Sequence, residues 1–164
     1  MILIEISRRK EVLKNKDKLE KKLNCKIQIK DKTLSIDTDP FNEYEAQRVF
    51  DAINLGFSVE KALKVLDEET GFIKINVKDY ANTKNLEVVR GRLIGTHGKT
   101  KKTIEEITKS NISIHDNNVG IIGPAEVTEM ALTAVTNIIK GTKQANAYKY
   151  LEKINTQKKK IKIK

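Results

Sequence analysis

The chain has 164 residues, a net charge of +10, one cysteine and no tryptophan, which is length enough for one ordinary domain or two small ones with a buried core. A single cysteine excludes an intramolecular disulfide and gives no sign of metal or redox chemistry. No apolar run reaches membrane-spanning length, and the opening MILIEISRR becomes charged too soon for a signal peptide, so a cytoplasmic protein without a membrane partner or a cofactor is expected. The charge is uneven: residues 1–32 carry +6, 33–70 carry −6, 71–140 carry +3 and 141–164 carry +7. A polyanionic partner is the first explanation for the basic blocks.

Met1 to Ile6 reads as a buried strand, and Lys10 to Leu23 places Val12, Leu13, Leu19 and Leu23 at helical spacings. Cys25, in LNCKIQI, reads as a small buried hydrophobe. KIQI (26–29) and TLSI (33–36) flank Asp31-Lys32 as a hairpin. Asp39-Pro40 starts a helix whose inner face is Tyr44, Val49, Phe50 and Ile53 and which ends near Gly56. Ser58 caps a shorter helix through Leu66, and the acidic cluster Asp67-Glu68-Glu69 closes this half.

The order then repeats. FIKINV (72–77) is a strand, Lys84 to Val89 a short helix leading into a glycine turn, and Thr103, Ile104, Ile107 and Thr108 lie on the helix after it. ISI (112–114) and VGII (119–122) form a second hairpin around Asp116-Asn117-Asn118, and Pro124 opens a long helix marked by Val127, Ala131, Leu132, Val135, Ile138 and Ile139. A last helix is expected around Ala147 to Ile154, with Tyr148, Leu151 and Ile154 on one face. The tail TQKKKIKIK reads as a frayed, solvated end able to add non-specific RNA affinity.

The glycine turn lies in RGRLIGTHGKT, Arg90 to Thr100. Its Gly98-Lys99-Thr100 ending resembles a phosphate-binding loop, but the first glycine of that pattern would fall on Leu93. Gly95 and Gly98 instead give G-x-x-G between two helices. That turn brings backbone close to a sugar-phosphate chain and aims the next helix's first amides at phosphate oxygens. That arrangement resembles the backbone clamp of a KH domain.

RGRLIGTHGKTKKTIEEIT (90–108) resembles the signature of the archaeal pre-ribosomal-RNA-processing KH proteins, relatives of eukaryotic small-subunit assembly factors that include partner-of-Nob-one. The resemblance extends over nearly the whole chain. It implies an α+β fold of two tandem eukaryotic-type (type I) KH domains, each a three-stranded antiparallel sheet with helices on one face. Residues 1–69 would be a degenerate KH-like domain lacking G-x-x-G, and 70–164 a KH domain with the turn, a C-terminal helix and a basic tail. It further implies ribosome biogenesis: binding of single-stranded RNA in the 3′ region of 16S rRNA during maturation, and contact with the endonuclease that trims that end and with the alpha subunit of initiation factor two. The middle of the turn departs from the family, which carries a basic residue where this chain has Thr96-His97.

In this reading Gly95, Thr96, His97 and Gly98 hold the RNA backbone. Charge comes from Arg90, Arg92, Lys99, Lys101 and Lys102, and Ile94, Ile104 and Ile114 line the groove where bases lie, each being equally a candidate for the core because one face of its element packs inward. In the first unit the equivalent place, about Lys14 to Asp17, has no glycine, which favours a scaffold that binds no nucleotides. No carboxylate pair, nucleophile–base set or metal cluster stands out, so binding without catalysis is expected. A protein-interaction scaffold, suggested by the acidic stretch Asp37 to Glu69, and nucleotide hydrolysis at Gly98-Lys99-Thr100 are the alternatives.

Overall fold

The computed structural model describes residues 1–163, and the chain divides into two compact units, Met1–Glu68 and Glu69 onward. In the first, β1 (Ile2–Glu5), β2 (Lys26–Lys30) and β3 (Thr33–Asp37) form an antiparallel sheet in the order β1-β3-β2. Alternation of apolar and polar residues turns Ile4, Ile27, Leu34 and Ile36 inward. They meet Val12 of α1 (Arg9–Lys14), Leu19 and Leu23 of α2 (Lys16–Leu23), and Val49, Phe50 and Ile53 of α3 (Pro40–Asn54). Asp39 caps α3 by accepting from the Asn42 amide at 2.9 Å. Ser58 caps α4 (Val59–Leu63) by accepting from the Lys61 amide at 3.3 Å, and a 3-10 turn, Lys64–Leu66, follows.

Three expectations for this unit are corrected. The single helix from Lys10 to Leu23 is two helices, broken at Asn15, whose amide side chain donates to the Glu11 carbonyl at 2.8 Å and so competes with helix continuation. Tyr44, expected on the inner face of its helix, is 64% exposed, and Leu13, grouped by helical spacing with Val12, Leu19 and Leu23, is 47% exposed.

The second unit repeats the plan. Strands β4 (Thr70–Asn76), β5 (Asn111–His115) and β6 (Asn118–Pro124) form an antiparallel sheet in the order β4-β6-β5. Ile73 aligns with Ile121 and Ile121 with Ile112, giving one inward row, and Ile75, Val119 and Ile114 give the next. Onto them pack α5 (Leu86–Ile94), α6 (Lys99–Thr108), α7 (Ala125–Lys140) and α8 (Gln144–Ile163), through Val89, Leu93, Ile104, Ala131, Val135, Ile138 and Leu151. A 3-10 turn, Val77–Asp79, follows β4.

Local chemistry is duplicated as well as topology. In each unit a glutamate on the helix before the hairpin accepts the amide of a strand residue seven positions on: Glu20 from Ile27 and Glu105 from Ile112, each at 3.0 Å. The helix ends in a left-handed residue, Asn24 or Lys109, and the hairpin turns on an aspartate with positive φ, Asp31 or Asp116. These two ties set how each helix meets its sheet.

Two helices of the second unit are longer than expected. Helix α5 runs to Ile94 rather than Val89, because Val89 and Leu93 bury one face across the glycine at position 91. The tail expected to fray continues α8 through Ile163, and Lys164 lies outside the described residues. Asn155 donates to the Ile107 carbonyl at 2.7 Å and Lys158 to the Glu126 carbonyl at 2.9 Å, which holds this stretch to the body. Among the described residues no helix is long and apolar enough to cross a membrane.

Cys25 is half-buried, and burial, with Glu20 adding to it, pushes its thiol up to about 11. Since the thiolate is the nucleophile, alkylation by iodoacetamide at pH 8 should run at least about tenfold slower than for a free cysteine with pKa near 8.5. The rate should still be rising between pH 10 and 11. A plateau already reached at pH 9 would contradict the burial of this side chain.

Candidate nucleic-acid interface

Four residues, Gly95 to Gly98, reverse the chain between α5 and α6. The Gly95 amide closes the last turn of α5 on the Gly91 carbonyl at 2.8 Å. Gly95 then adopts φ 79, ψ 171, a region open essentially to glycine alone. A second requirement acts on the same residue, because a Cβ there would collide with the Thr100 side-chain oxygen and lie 2.6 Å from the Thr100 amide nitrogen. Thr100, 4% exposed, is tucked beneath the turn.

The turn closes through the Gly98 amide, which donates to the Gly95 carbonyl at 3.1 Å. His97 (φ 55, ψ 29) and Gly98 (φ 73, ψ 14) are both left-handed. Histidine is among the side chains enriched in that conformation, which gives a local reason for its place here. A Cβ at Gly98 would meet nothing within 4 Å. No side chain caps the start of α6, so its first turn presents the positive end of the helix dipole beside an open glycine.

The expected site residues fall into distinct groups. Thr96, His97, Lys99 and Lys102 are exposed on or just after the turn. Lys101 is paired with Glu105 at 3.1 Å. Arg90 reaches the Asn117 side-chain oxygen at 3.4 Å, at the tip of the β5–β6 hairpin. Arg92 donates to the Thr142 carbonyl at 3.0 Å, while its own carbonyl accepts from Gln144 at 3.3 Å, so this arginine ties the α7–α8 connection to α5. Ile94 is 38% exposed, and Ile114 is half-buried on β5, an edge strand of its sheet.

Ile104 is corrected. It is 0% exposed, on the inward face of α6 with Thr100 and Thr108 at four-residue spacing, and belongs to the core rather than to a groove wall. Conversely, Val88, 54% exposed, and Gly91, with open space where a side chain would be, continue the strip begun by Ile94 along α5. Their spacing of three residues signals this face once α5 is known to extend past Val89.

The surroundings of Gly98-Lys99-Thr100 differ from those of a nucleotide-hydrolase loop. A helix precedes the turn where that loop follows a strand, and Thr100 is buried. In the first unit α1 and α2 meet at Asn15 alone, with no comparable turn.

The two glycines therefore answer to different constraints. Gly95→Ala should destabilise the protein by about 3 kcal/mol, from the left-handed backbone and the collision together. Gly98→Ala should cost about 1 kcal/mol, from backbone conformation alone. Urea denaturation of both variants checks the order, and equal losses would contradict it.

Residues 71–156 match the model of the eukaryotic type KH-domain (KH-domain type I). Over 145 residues the chain is 35% identical to a KH domain-containing protein of Methanocaldococcus jannaschii, covering 84% of this chain and 64% of that one. It is 30% identical over 146 residues to the pre-rRNA-processing protein PNO1 of Debaryomyces hansenii, covering 84% of this chain and 57% of that one. The chain thus spans less than two thirds of the length of these curated relatives. Among solved structures it resembles aDim2p in the a/eIF2alpha-aDim2p-rRNA complex of Pyrococcus horikoshii, with a TM-score of 0.84, 29% identity, and coverage of 95% of this chain and 94% of that one. A family match over more than half the chain, centred on the unit that holds the glycine turn, shows that this chain belongs to the PNO1-like family of KH-domain proteins.

Proposed function

We propose that the second unit binds single-stranded RNA through the Gly95–Gly98 turn, and that the protein acts in ribosome biogenesis on the 3′ region of small-subunit 16S rRNA without itself catalysing a reaction. The observation that carries this reading is Gly98. Gly95 is demanded by the packing of Thr100, but at Gly98 the fold leaves open space. A bare backbone facing solvent beside an uncapped helix start is what close approach of a phosphate chain requires.

In this proposal Gly95, Thr96, His97 and Gly98 hold the backbone of about four nucleotides. Lys99 and Lys102 neutralise phosphates, joined by Lys101 and by the guanidinium N–H groups that Arg90 and Arg92 keep beyond their internal bonds. Ile94 and Ile114 offer apolar surface to bases, and the edge of β5 offers backbone groups to base edges. Ile104 supports the site from beneath.

The first unit we take to be a second KH-like fold without a nucleotide turn, on the strength of its identical strand order and the repeated Glu20 and Glu105 ties. The complex formed by the Pyrococcus neighbour supports the alpha subunit of initiation factor two as a partner. Contact with the rRNA-trimming endonuclease, and action in the cytoplasm, complete the proposal.

Gly98→Asp places bulk and negative charge at the backbone approach. Its affinity for a single-stranded RNA decamer should fall at least about tenfold, from loss of the close contact and charge repulsion, while its circular dichroism spectrum matches the parent's. A folded variant that binds equally well would remove the turn from the site. With about four phosphates neutralised, log affinity should fall with log salt at a slope near roughly −3. A flat response would exclude phosphate recognition.

A further inference from the structure

Helix α3 of the first unit carries two exposed aromatic rings on the side away from its core. Its buried side is Ala46, Val49, Phe50 and Ile53, and on the opposite side, at spacings of three and four residues, stand Phe41, Tyr44 and Arg48. Phe41 is 72% exposed and Tyr44 64%, and no other aromatic residue among the chain's four phenylalanines and four tyrosines is exposed.

The group is ordered. The Arg48 guanidinium lies 5.9 Å from the centre of the Tyr44 ring while donating to the Val65 carbonyl at 3.2 Å and to Glu45 at 3.4 Å. Holding the arginine from behind limits the motion of the ring above it, which lowers the entropy lost on binding. Phenylalanine, tyrosine and arginine are the residue types enriched at the centres of protein interfaces.

The charge around them selects the kind of partner. Asp37 to Asp51 contains five carboxylates, one arginine and no lysine, in a chain whose net charge is +10. That local sign disfavours a polyanion and favours a basic protein surface. We propose that Phe41, Tyr44 and Arg48 form a docking face for a protein partner with a basic rim and an apolar seat, and that the alpha subunit of initiation factor two occupies it. The second part rests on the reading of that subunit as a partner. The Pyrococcus neighbour's complex contains both the alpha subunit and RNA, and this face belongs to the unit without a glycine turn whereas the proposed RNA site belongs to the other.

Isothermal titration of the full chain with the alpha subunit, and separately with a single-stranded RNA decamer, tests this. Phe41→Ala/Tyr44→Ala removes only exposed rings and should weaken subunit binding about tenfold or more, as loss of interface anchors does, with RNA affinity unchanged. Asp37→Lys should weaken subunit binding further below the parent's and leave RNA affinity equal or raised. Unchanged subunit affinity in the double variant, or tighter subunit binding by Asp37→Lys, overturns the docking face. A loss of RNA affinity in the double variant also overturns it, because the rings would then be stacking on bases. A parent protein that binds RNA but not the subunit overturns the docking proposal and the partner reading together while the RNA reading stands. Failure to bind RNA alone sinks the RNA reading and leaves the docking face intact.

Discussion

The contact on which the second unit depends is the one between Gly95 and Thr100. Because position 95 has neither a Cβ nor a right-handed backbone, the chain can leave α5, reverse within four residues and bury Thr100 beneath the turn. Burying Thr100 aligns α6 so that its next inward residues, Ile104 and Thr108, enter the core. The Thr108 hydroxyl in turn lies 2.6 Å from that of Ser110, and Ser110 packs against Gly123, where a side chain would be only 2.8 Å from it. From the turn to the central strand, each step depends on the close approach made in the one before. The outer side of the same turn carries no such load: His97 is exposed and a side chain at Gly98 would meet nothing within 4 Å.

The two units show what happens when this device is present and when it is absent. They share strand order, glutamate-to-strand ties and aspartate-turned hairpins. They differ between their paired helices, where one has Gly95–Gly98 and the other a single asparagine. Asn15 breaks the helix by satisfying its own side-chain amide locally, but it creates no bare backbone. Charge follows the same division. The glycine turn is followed by Lys99, Lys101 and Lys102, while the first unit places aromatic side chains amid carboxylates on α3. A shared framework thus carries surfaces of different charge and composition.

Much of this was legible where local chemistry decides structure. Asp39-Pro40 and Ser58 announce helix starts because their side chains can accept amides that the helix leaves unpaired, and both do so. The hairpins were legible from β-favouring runs flanking Asp31 and Asp116. What was hidden depends on tertiary packing. Glycine disfavours a helix by about 1 kcal/mol, so the sequence predicts that α5 ends before Gly91, yet burial of Val89 and Leu93 on either side outweighs that cost. Ile104 illustrates the reverse problem: its nearness to the motif suggests the groove as readily as the core, and helical geometry with Thr100 and Thr108 turns it to the core. Tyr44 and Leu13 fit an apolar spacing but face solvent, because spacing alone does not say which of two adjacent faces a helix buries. In the tail, lysines suggest a solvated end, but they are good helix formers, and Asn155 and Lys158 bind the helix to carbonyls of α6 and α7.

The central claim is that RNA is held by the exposed backbone of one turn. Amide chemical-shift mapping during titration with a single-stranded RNA tests it most directly. The account predicts the largest shifts at Gly95 to Lys102 and along β5, with the amides of Lys14 to Asp17 in the first unit unchanged. Shifts centred on the first unit, or spread over the lysines of α8 without involving Gly98, would contradict it.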